Sequence, residues 1–326
     1  MSQMCATELS ELSIAVIIVN YRAAHLVVNN LDALRAELTP FAESRIIIVD
    51  NQSPGDDAAV LEQATAAFGE IKVVRAPKNG GFAYGNNRGL EAAGETDLTF
   101  FLNPDAVPKP GAVAQMARTM LHEQKAGVIG AKLINSAGEE RASAFARLTP
   151  GQVYFGAGGI AGHLLTGGTG MVLSLDAGDI IEAAWIPGAA MMVARDAIQS
   201  VGGMDEGYFL YFEETDWLEA ISRAGFRILV DKRAVVEHIE GQSTGVVGSA
   251  GARDDLPDYW YDSWRRFWLK NRSRMVAGSA AFAFLAALST RRIALLMRGA
   301  AVKGQGPRMK TFVQRCLVPI IRGGAP

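Results

Sequence analysis

The chain has 326 residues, nearly half of them apolar, enough to bury a sizeable core in one large domain or two ordinary ones. Its two cysteines, Cys5 and Cys316, lie at opposite ends, which excludes a disulfide framework or a zinc-ligand spacing and fits a reducing cytosol. Net charge is only −2, yet thirteen Lys or Arg and no Asp or Glu fall between Ser263 and Pro326, so a basic tail follows a strongly acidic remainder.

Met1 to Glu11 is polar and acidic, with neither a basic nor an apolar leader region, so no signal peptide is expected. Ser13 to Asn20 (SIAVIIVN) reads as a buried strand ending in polar Asn20-Tyr21-Arg22, and residues 24–38 show helical spacing through Leu26, Leu31, Leu34 and Leu38. Arg45 to Asp50 (RIIIVD) repeats the strand pattern and ends in Asp50-Asn51-Gln52-Ser53; Asp56 and Asp57 can cap the helix that reaches Phe68. Ile71 to Arg75 is a third strand, Asn79-Gly80-Gly81 a turn, and Phe82 to Ala93 a helix. Strand and helix alternating at this spacing predict a parallel, doubly wound sheet.

The next strand, Leu98 to Leu102, stops at Asn103-Pro104-Asp105, because proline at 104 has no N–H for a ladder. Ligands of open α/β sheets sit at the carboxyl ends of the strands. Asn20, Asp50, Asn79 and Asp105 would therefore face one crevice. Asp105 is a hard oxygen donor suited to Mg²⁺ or Mn²⁺, and Asn103 adds an amide oxygen two residues earlier. The segment Asn79 to Gly89 (NGGFAYGNNRG) has glycines for close backbone approach and a helix N-terminus that favours an anion, but matches neither G-x-G-x-x-G nor the Walker pattern.

Gly111 to Gly130 holds a helix and a strand, and residues 135–180, rich in Gly, Ala and Ser, read as a variable, partly mobile excursion. A second acidic cluster follows at Tyr208 to Trp217 (YFLYFEETDW), where aromatic residues precede Glu213, Glu214 and Asp216 at the start of a helix. Adjacent carboxyls against an aromatic wall can raise a pKa and create a general base. His238 ends an apolar strand and could supply an imidazole to a metal held by Asp105.

In this order, VIIVNY, IIIVDNQS, KNGGFAYGNNRG, FLNPDA, PGAAMMVARDAIQSVGGMDEGYF, FEETDW and a later histidine resemble the inverting glycosyltransferases of family 2, especially the rhamnosyltransferase-like branch. The resemblance covers about residues 12–245. It implies a GT-A fold: an α/β domain with a Rossmann-like, mostly parallel sheet, its nucleotide half at 12–107 and its acceptor half at 108–245. It places Asn20, Tyr21, Asp50, Asn51, Asn79, Gly80, Asn103 and Asp105 around the donor nucleotide, with Asp105 and His238 on a Mg²⁺ or Mn²⁺ ion. Asn103 replaces an Asp of the family's Asp-x-Asp motif. Glu214 stands at the catalytic base, where relatives often carry Asp, and Gly188, Ala189, Glu213, Asp216 and Trp217 line the acceptor side. The implied reaction is inverting transfer of a sugar, rhamnose among the candidates, from a nucleotide-diphospho-sugar to a glycan or lipid-linked acceptor in surface polysaccharide or glycolipid assembly.

Two other classes remain open: a sugar nucleotidyltransferase, although Ser13 to His25 lacks that class's basic Gly-rich loop, and a non-catalytic nucleotide- or carbohydrate-binding module. Paired carboxylates also serve glycoside hydrolysis, which leaves the strand-end crevice unexplained. Residues 255–326 form a helical, basic, aromatic extension. Within it Met275 to Thr290 is apolar, about sixteen residues against the ~20 needed to span a bilayer. It reads either as a core helix of the acceptor half or as an interfacial anchor burying a Phe282, Phe284 and Leu285 face. The anchor reading makes an anionic membrane surface the tail's partner, nucleic acid being disfavoured. It puts the protein in the cytoplasm, peripheral at the inner face of the plasma membrane.

Overall fold

A computed structural model describes residues 8–157, 171–239, 256–297 and 308–325. Strand β1 (Ser13–Asn20) is buried along nearly its whole length, so it is stable only inside a sheet covered on both faces. Helix α1 (Ala24–Leu38) returns the chain to β2 (Glu43–Asp50), and α2 (Asp57–Thr65) to β3 (Ile71–Arg75). Helix α3 (Gly81–Ala93) then leads to β4 (Leu98–Leu102). These four strands are parallel in the order β3-β2-β1-β4, and the register sets Asn20 beside Asp50 at their carboxyl ends. Alternation along the strands divides the core. Ile14, Val16, Ile18 and Phe100 face α1, while Ala15, Ile17 and Phe101 face α3. Gly85 and Gly89 bring α3 onto β1: a Cβ at either would lie 2.5 Å or 2.3 Å from Val19 or Ile17. The close approach expected of the glycine-rich segment is thus, at these two positions, helix against strand.

After β4 come β5 (Ala106–Pro108), α4 (Ala112–His122) and β6 (Ala126–Ile134). Next are α5 (Pro150–Ala157), β7 (Ile180–Glu182), β8 (Ala190–Ala194), α6 (Arg195–Val201), α7 (Glu213–Arg223) and β9 (Arg227–His238). Here the mostly parallel sheet takes in its antiparallel members. β8 runs antiparallel to both β4 and β6, β6 and β9 are parallel, and β5 and β7 pair antiparallel with β9. The reason is connectivity: β8 is reached through the 135–180 excursion, so it can enter the sheet reversed. The described part of that excursion is anchored by Phe145, stacked on Trp185 at 4.0 Å between ring centroids. Residues 158–170 lie outside the described residues, as do residue 245, the expected end of the catalytic domain, and residue 255, the expected start of the extension.

The extension comprises α8 (Asp258–Asn271), α9 (Arg274–Met297), α10 (Met309–Phe312), a π-helical turn (Val313–Leu317) and α11 (Val318–Arg322). Tyr261, Trp264, Phe267, Trp268, Phe284 and Phe312 form a third buried cluster with Tyr208 of the sheet domain. Ion pairs fasten this cluster. Arg266 and Lys270 meet Asp205 at 2.9 Å and 2.7 Å, Lys270 also meets Asp216 at 2.6 Å, and Arg272 meets Glu219 at 2.7 Å. Burial alone would raise the Asp205 carboxyl, but hydrogen bonds from Lys270, the Gly207 N–H and Arg266 hold it below its ordinary value. Three of the tail's cations, Arg266, Lys270 and Arg272, are thus answered by acids of the sheet domain.

The core-helix reading fits α8 and one face of α9. Ala277, Ala280, Ala281, Phe284 and Ala287 are buried, whereas Phe282 is 58% exposed, so Phe282 and Phe284 do not share the single face expected of an anchor. Among the described residues no helix is long and apolar enough to cross a membrane. Phe267→Ala should cost about 3–5 kcal/mol, the usual range for a buried phenylalanine, in a denaturant titration. A loss below about 1 kcal/mol would mean that α8 is not integral to the core.

Candidate active site

The carboxyl ends of β1 and β2 meet in one hydrogen-bonded rim. Asn20 Nδ2 donates to Asp50 Oδ1 at 2.8 Å, to Ser53 Oγ at 3.2 Å and to Asp57 Oδ1 at 3.3 Å, and its Oδ1 accepts from the Ala23 N–H. Asp57 also accepts from the Ala24 N–H, and no side-chain cap bond forms at Asp56. The expected helix cap is therefore redirected: Asp57 ties α1 to the rim. Asn51 Nδ2 donates to Asn79 Oδ1 at 3.1 Å and to the Gly81 carbonyl at 3.0 Å, while Asn51 Oδ1 is buried without a partner. Tyr21 is half-buried at the head of the same loop, and Gly80 caps α3 without a side-chain bond. Gln52 and Ser53, read earlier only as loop residues, hold the Asn79 and Arg22 amides.

Gly81 joins this rim to the acidic cluster. It has φ +89°, and a Cβ there would lie 1.8 Å from the Phe209 carbonyl, which accepts from the Phe82 N–H at 2.9 Å. The loop from 208 to 212 is thereby seated against the start of α3. Its last residues, Tyr211 and Phe212, have φ values of 71° and 70°, left-handed conformations that bulky residues avoid and that cluster at functional sites.

Asp105 follows directly from the proline stop after β4. It is 2% exposed, and no hydrogen bond reaches either carboxylate oxygen. β5 pairs with β9 so that Ala106 lies opposite His238, which sets His238 Nε2 3.3 Å from Asp105 Oδ1 and 3.5 Å from Asn103 Nδ2. A buried carboxylate that accepts no hydrogen bond and faces only the His238 imidazole is costly, and a divalent cation would satisfy it. Among the described residues no group of three or more His, Cys, Asp or Glu side chains forms a complete metal cage. Two protein donors nevertheless fit a Mg²⁺- or Mn²⁺-type site, in which substrate phosphates and water supply the remaining ligands.

The Asn103 N–H donates to the Ala189 carbonyl at 2.9 Å, so the acidic turn touches the segment before β8. The next residue back, Gly188, lies between Phe82 and Glu214: a Cβ there would be 3.1 Å from the Phe82 ring and 3.8 Å from Glu214 Cβ. The two acidic clusters, more than a hundred residues apart in sequence, are therefore linked through the 187–189 turn.

At the start of α7 the Oε2 atoms of both Glu213 and Glu214 are buried without a partner. Glu213 is raised well above the ordinary carboxyl value by burial and by the neighbouring Glu214. Burial also raises Glu214, to about 6, with backbone amides at its own position and at Thr215 opposing the shift. Glu214 also lines a cavity between the sheet domain and the extension. Asp216 and Trp217 do not share that position. Asp216 is held by Lys270, and Trp217 sits in the core, its indole N–H donating to the Gly202 carbonyl at 2.8 Å and its ring edge-on to Phe101.

Residues 15–149 match the family model described as Glycosyl transferase family 2. Among curated proteins, an N-acetylglucosaminyl-diphospho-decaprenol L-rhamnosyltransferase of Mycobacterium tuberculosis is 23% identical over 215 residues, covering 61% of this chain and 68% of the relative. Among solved structures, a mannosyltransferase from Pyrobaculum calidifontis in complex with GDP-Man and Mn²⁺ aligns with a TM-score of 0.56 and 15% identity, over 89% of this chain and 76% of that one. GalNAc-T7 with UDP, GalNAc and Mn²⁺ aligns with a TM-score of 0.55 and 13% identity, over 96% and 58%. These structural likenesses establish the GT-A fold.

The Glu214 shift predicts a pH-dependent stability. A carboxyl raised from 4.5 to about 6 on folding stabilises the protein below its ordinary pKa, and that contribution is lost as pH rises through about 6. Glu214→Gln removes the term. The Tm of the variant relative to wild type should therefore increase between about pH 4.5 and pH 7. A Tm difference that is flat with pH would show that Glu214 titrates normally.

Proposed function

We propose that this chain, which carries a family 2 glycosyl transferase domain over residues 15–149, catalyses metal-dependent, inverting transfer of a sugar from a nucleotide-diphospho-sugar to an acceptor hydroxyl. The observation that carries the reading is the Asp105 carboxylate, buried at the end of β4 with neither oxygen hydrogen-bonded. The rim of Asn20, Asp50, Asn51 and Asn79 would receive the base and ribose of the donor. Asp105 and His238 would hold a Mg²⁺ or Mn²⁺ ion, which when bound neutralises the diphosphate leaving group.

Glu214 would take the proton from the acceptor hydroxyl as that oxygen attacks the anomeric carbon in line, so a single displacement inverts the configuration. Its pKa of about 6 leaves it ionised, yet usefully basic, near neutrality. Burial and the neighbouring Glu214 also raise Glu213 well above its ordinary value, which disfavours two buried like charges side by side. Gly188 would keep the space in front of Glu214 open, since a Cβ there would crowd the Phe82 ring. In keeping with the M. tuberculosis relative's name, the sugar would be rhamnose and the acceptor a glycan or a lipid-linked saccharide used in cell-wall assembly. The two-part organisation, a catalytic domain over about 12–245 and a docked extension from about 255, belongs to the same proposal, as does work at the cytoplasmic face of the membrane.

Candidate sugar nucleotides incubated with the protein should yield a nucleoside diphosphate together with the glycosylated acceptor. Release of pyrophosphate from a nucleoside triphosphate and a sugar phosphate, supplied in a parallel incubation, would instead indicate nucleotidyl transfer, and binding without turnover a non-catalytic module. Asp105→Ala, or excess chelator with wild type, should abolish transfer. Glu214→Gln should lower turnover by a factor on the order of 10²–10⁴ with donor affinity nearly intact, and wild-type kcat/KM should fall below about pH 6. A crippled Glu213→Gln with a mild Glu214→Gln would assign the base to the other carboxylate.

A further inference from the structure

A cavity of about 580 Å³ opens between the sheet domain and the extension, within the size range of small-molecule sites. Glu214 and Trp185 contribute from one side; Trp260, Trp264, Leu288 and Arg291 contribute from the other. Among the described lining residues Glu214 and Arg291 are the only charged ones, and nearly all the others are hydrocarbon or aromatic. The Trp185 indole N–H is already committed to the Ala146 carbonyl at 3.1 Å. A sugar ring placed wholly inside would leave most of its hydroxyls without partners, whereas a hydrocarbon chain would lose nothing and gain the burial of its own surface.

Arg291 supplies the second half of the argument. It is exposed, and no acidic side chain among the described residues pairs with it, unlike Arg266, Lys270 and Arg272 of the same extension. It borders an apolar space that also reaches Glu214, which matches a ligand with an anionic group between a sugar and a hydrocarbon chain. Ile293 and Leu296, on the same helix, expose apolar side chains close by in sequence.

We propose that this cavity binds the hydrocarbon chain of a phosphate-linked lipid acceptor, with Arg291 meeting the phosphate and Glu214 the sugar hydroxyl. The proposal deepens the sugar-transfer reading and rests on it for the role of Glu214. It gives the extension a task in substrate choice: an acceptor without the chain leaves the cavity unfilled.

The test is a titration of the full-length protein that needs neither donor nor turnover. Four of the five tryptophans line the cavity, so intrinsic fluorescence reports on its occupancy. Geranylgeranyl diphosphate should give a saturable change, and inorganic pyrophosphate none. Dodecyl phosphate separates the two sources of chain: equal binding indicates a general alkyl site, and much weaker binding an isoprenoid one. Leu288→Asn, nearly the same size but polar, should weaken binding roughly tenfold, and Arg291→Glu by a similar factor. Asp105→Ala, expected to be inactive in transfer, should bind like wild type. The proposal is overturned if wild type shows no saturable response, or if neither Leu288→Asn nor Arg291→Glu weakens it. Lipid binding without sugar transfer by wild type would sink the sugar-transfer reading alone. Transfer to a soluble saccharide without lipid binding would sink this inference alone.

Discussion

The constraint on which the rest depends is the parallel, in-register pairing of β1 with β2 and β4. Parallel strands covered on both faces can carry polar side chains only at their ends, and a common direction puts those ends on one rim. Asn20, Asp50 and the turn containing Asp105 are thus neighbours by topology. Within that rim the polar groups bond first to one another, as Asn20 does to Asp50, Ser53 and Asp57, which stiffens the loops that would meet a donor.

Buried carboxylates in this molecule fall into two kinds. Asp231 is fully buried, yet it accepts from Thr119, Gln115, the Arg233 side chain and the Arg233 N–H, and its pKa is held down against burial by those bonds. Glu219 likewise lies between Arg147 and Arg272. Such acids close their own electrostatics and serve the fold. Asp105 and Glu213 are buried, and Glu214 partly so, with buried oxygens left over, a cost that a folded chain retains where a ligand or a proton completes the set. This difference, rather than acidity as such, separates the candidate site from the structural acids.

The extension shows how charge asymmetry along a chain can be internal. A basic helix placed after an acidic domain suggests a separate anionic partner, but α8 lies on the sheet domain and turns Arg266, Lys270 and Arg272 toward Asp205, Asp216 and Glu219. The same docking closes the aromatic cluster around Tyr208 and brings the indoles of α8 to the wall beside Glu214. Fold and candidate acceptor space therefore share one interface.

The amino-acid sequence by itself determined the order of the first four strands and their helices, the polar strand ends, the proline stop before Asp105 and the helix start at Glu213. Each follows from local rules: apolar runs, caps, and the missing N–H of proline. It also carried the glycosyltransferase resemblance, whose family model matches residues 15–149. Only the tertiary structure decided that β8 enters the sheet reversed, that Trp217 is core and Asp216 an anchor for Lys270, and that Asp57 serves the rim rather than a helix cap. It also decided that Gly81 seats the Phe209 carbonyl, that His238 falls opposite Ala106, and that Phe282 and Phe284 part company. These are contacts between residues far apart in sequence. Periodicity and turn chemistry act over a few residues, whereas register and helix docking are set by the whole core as it closes.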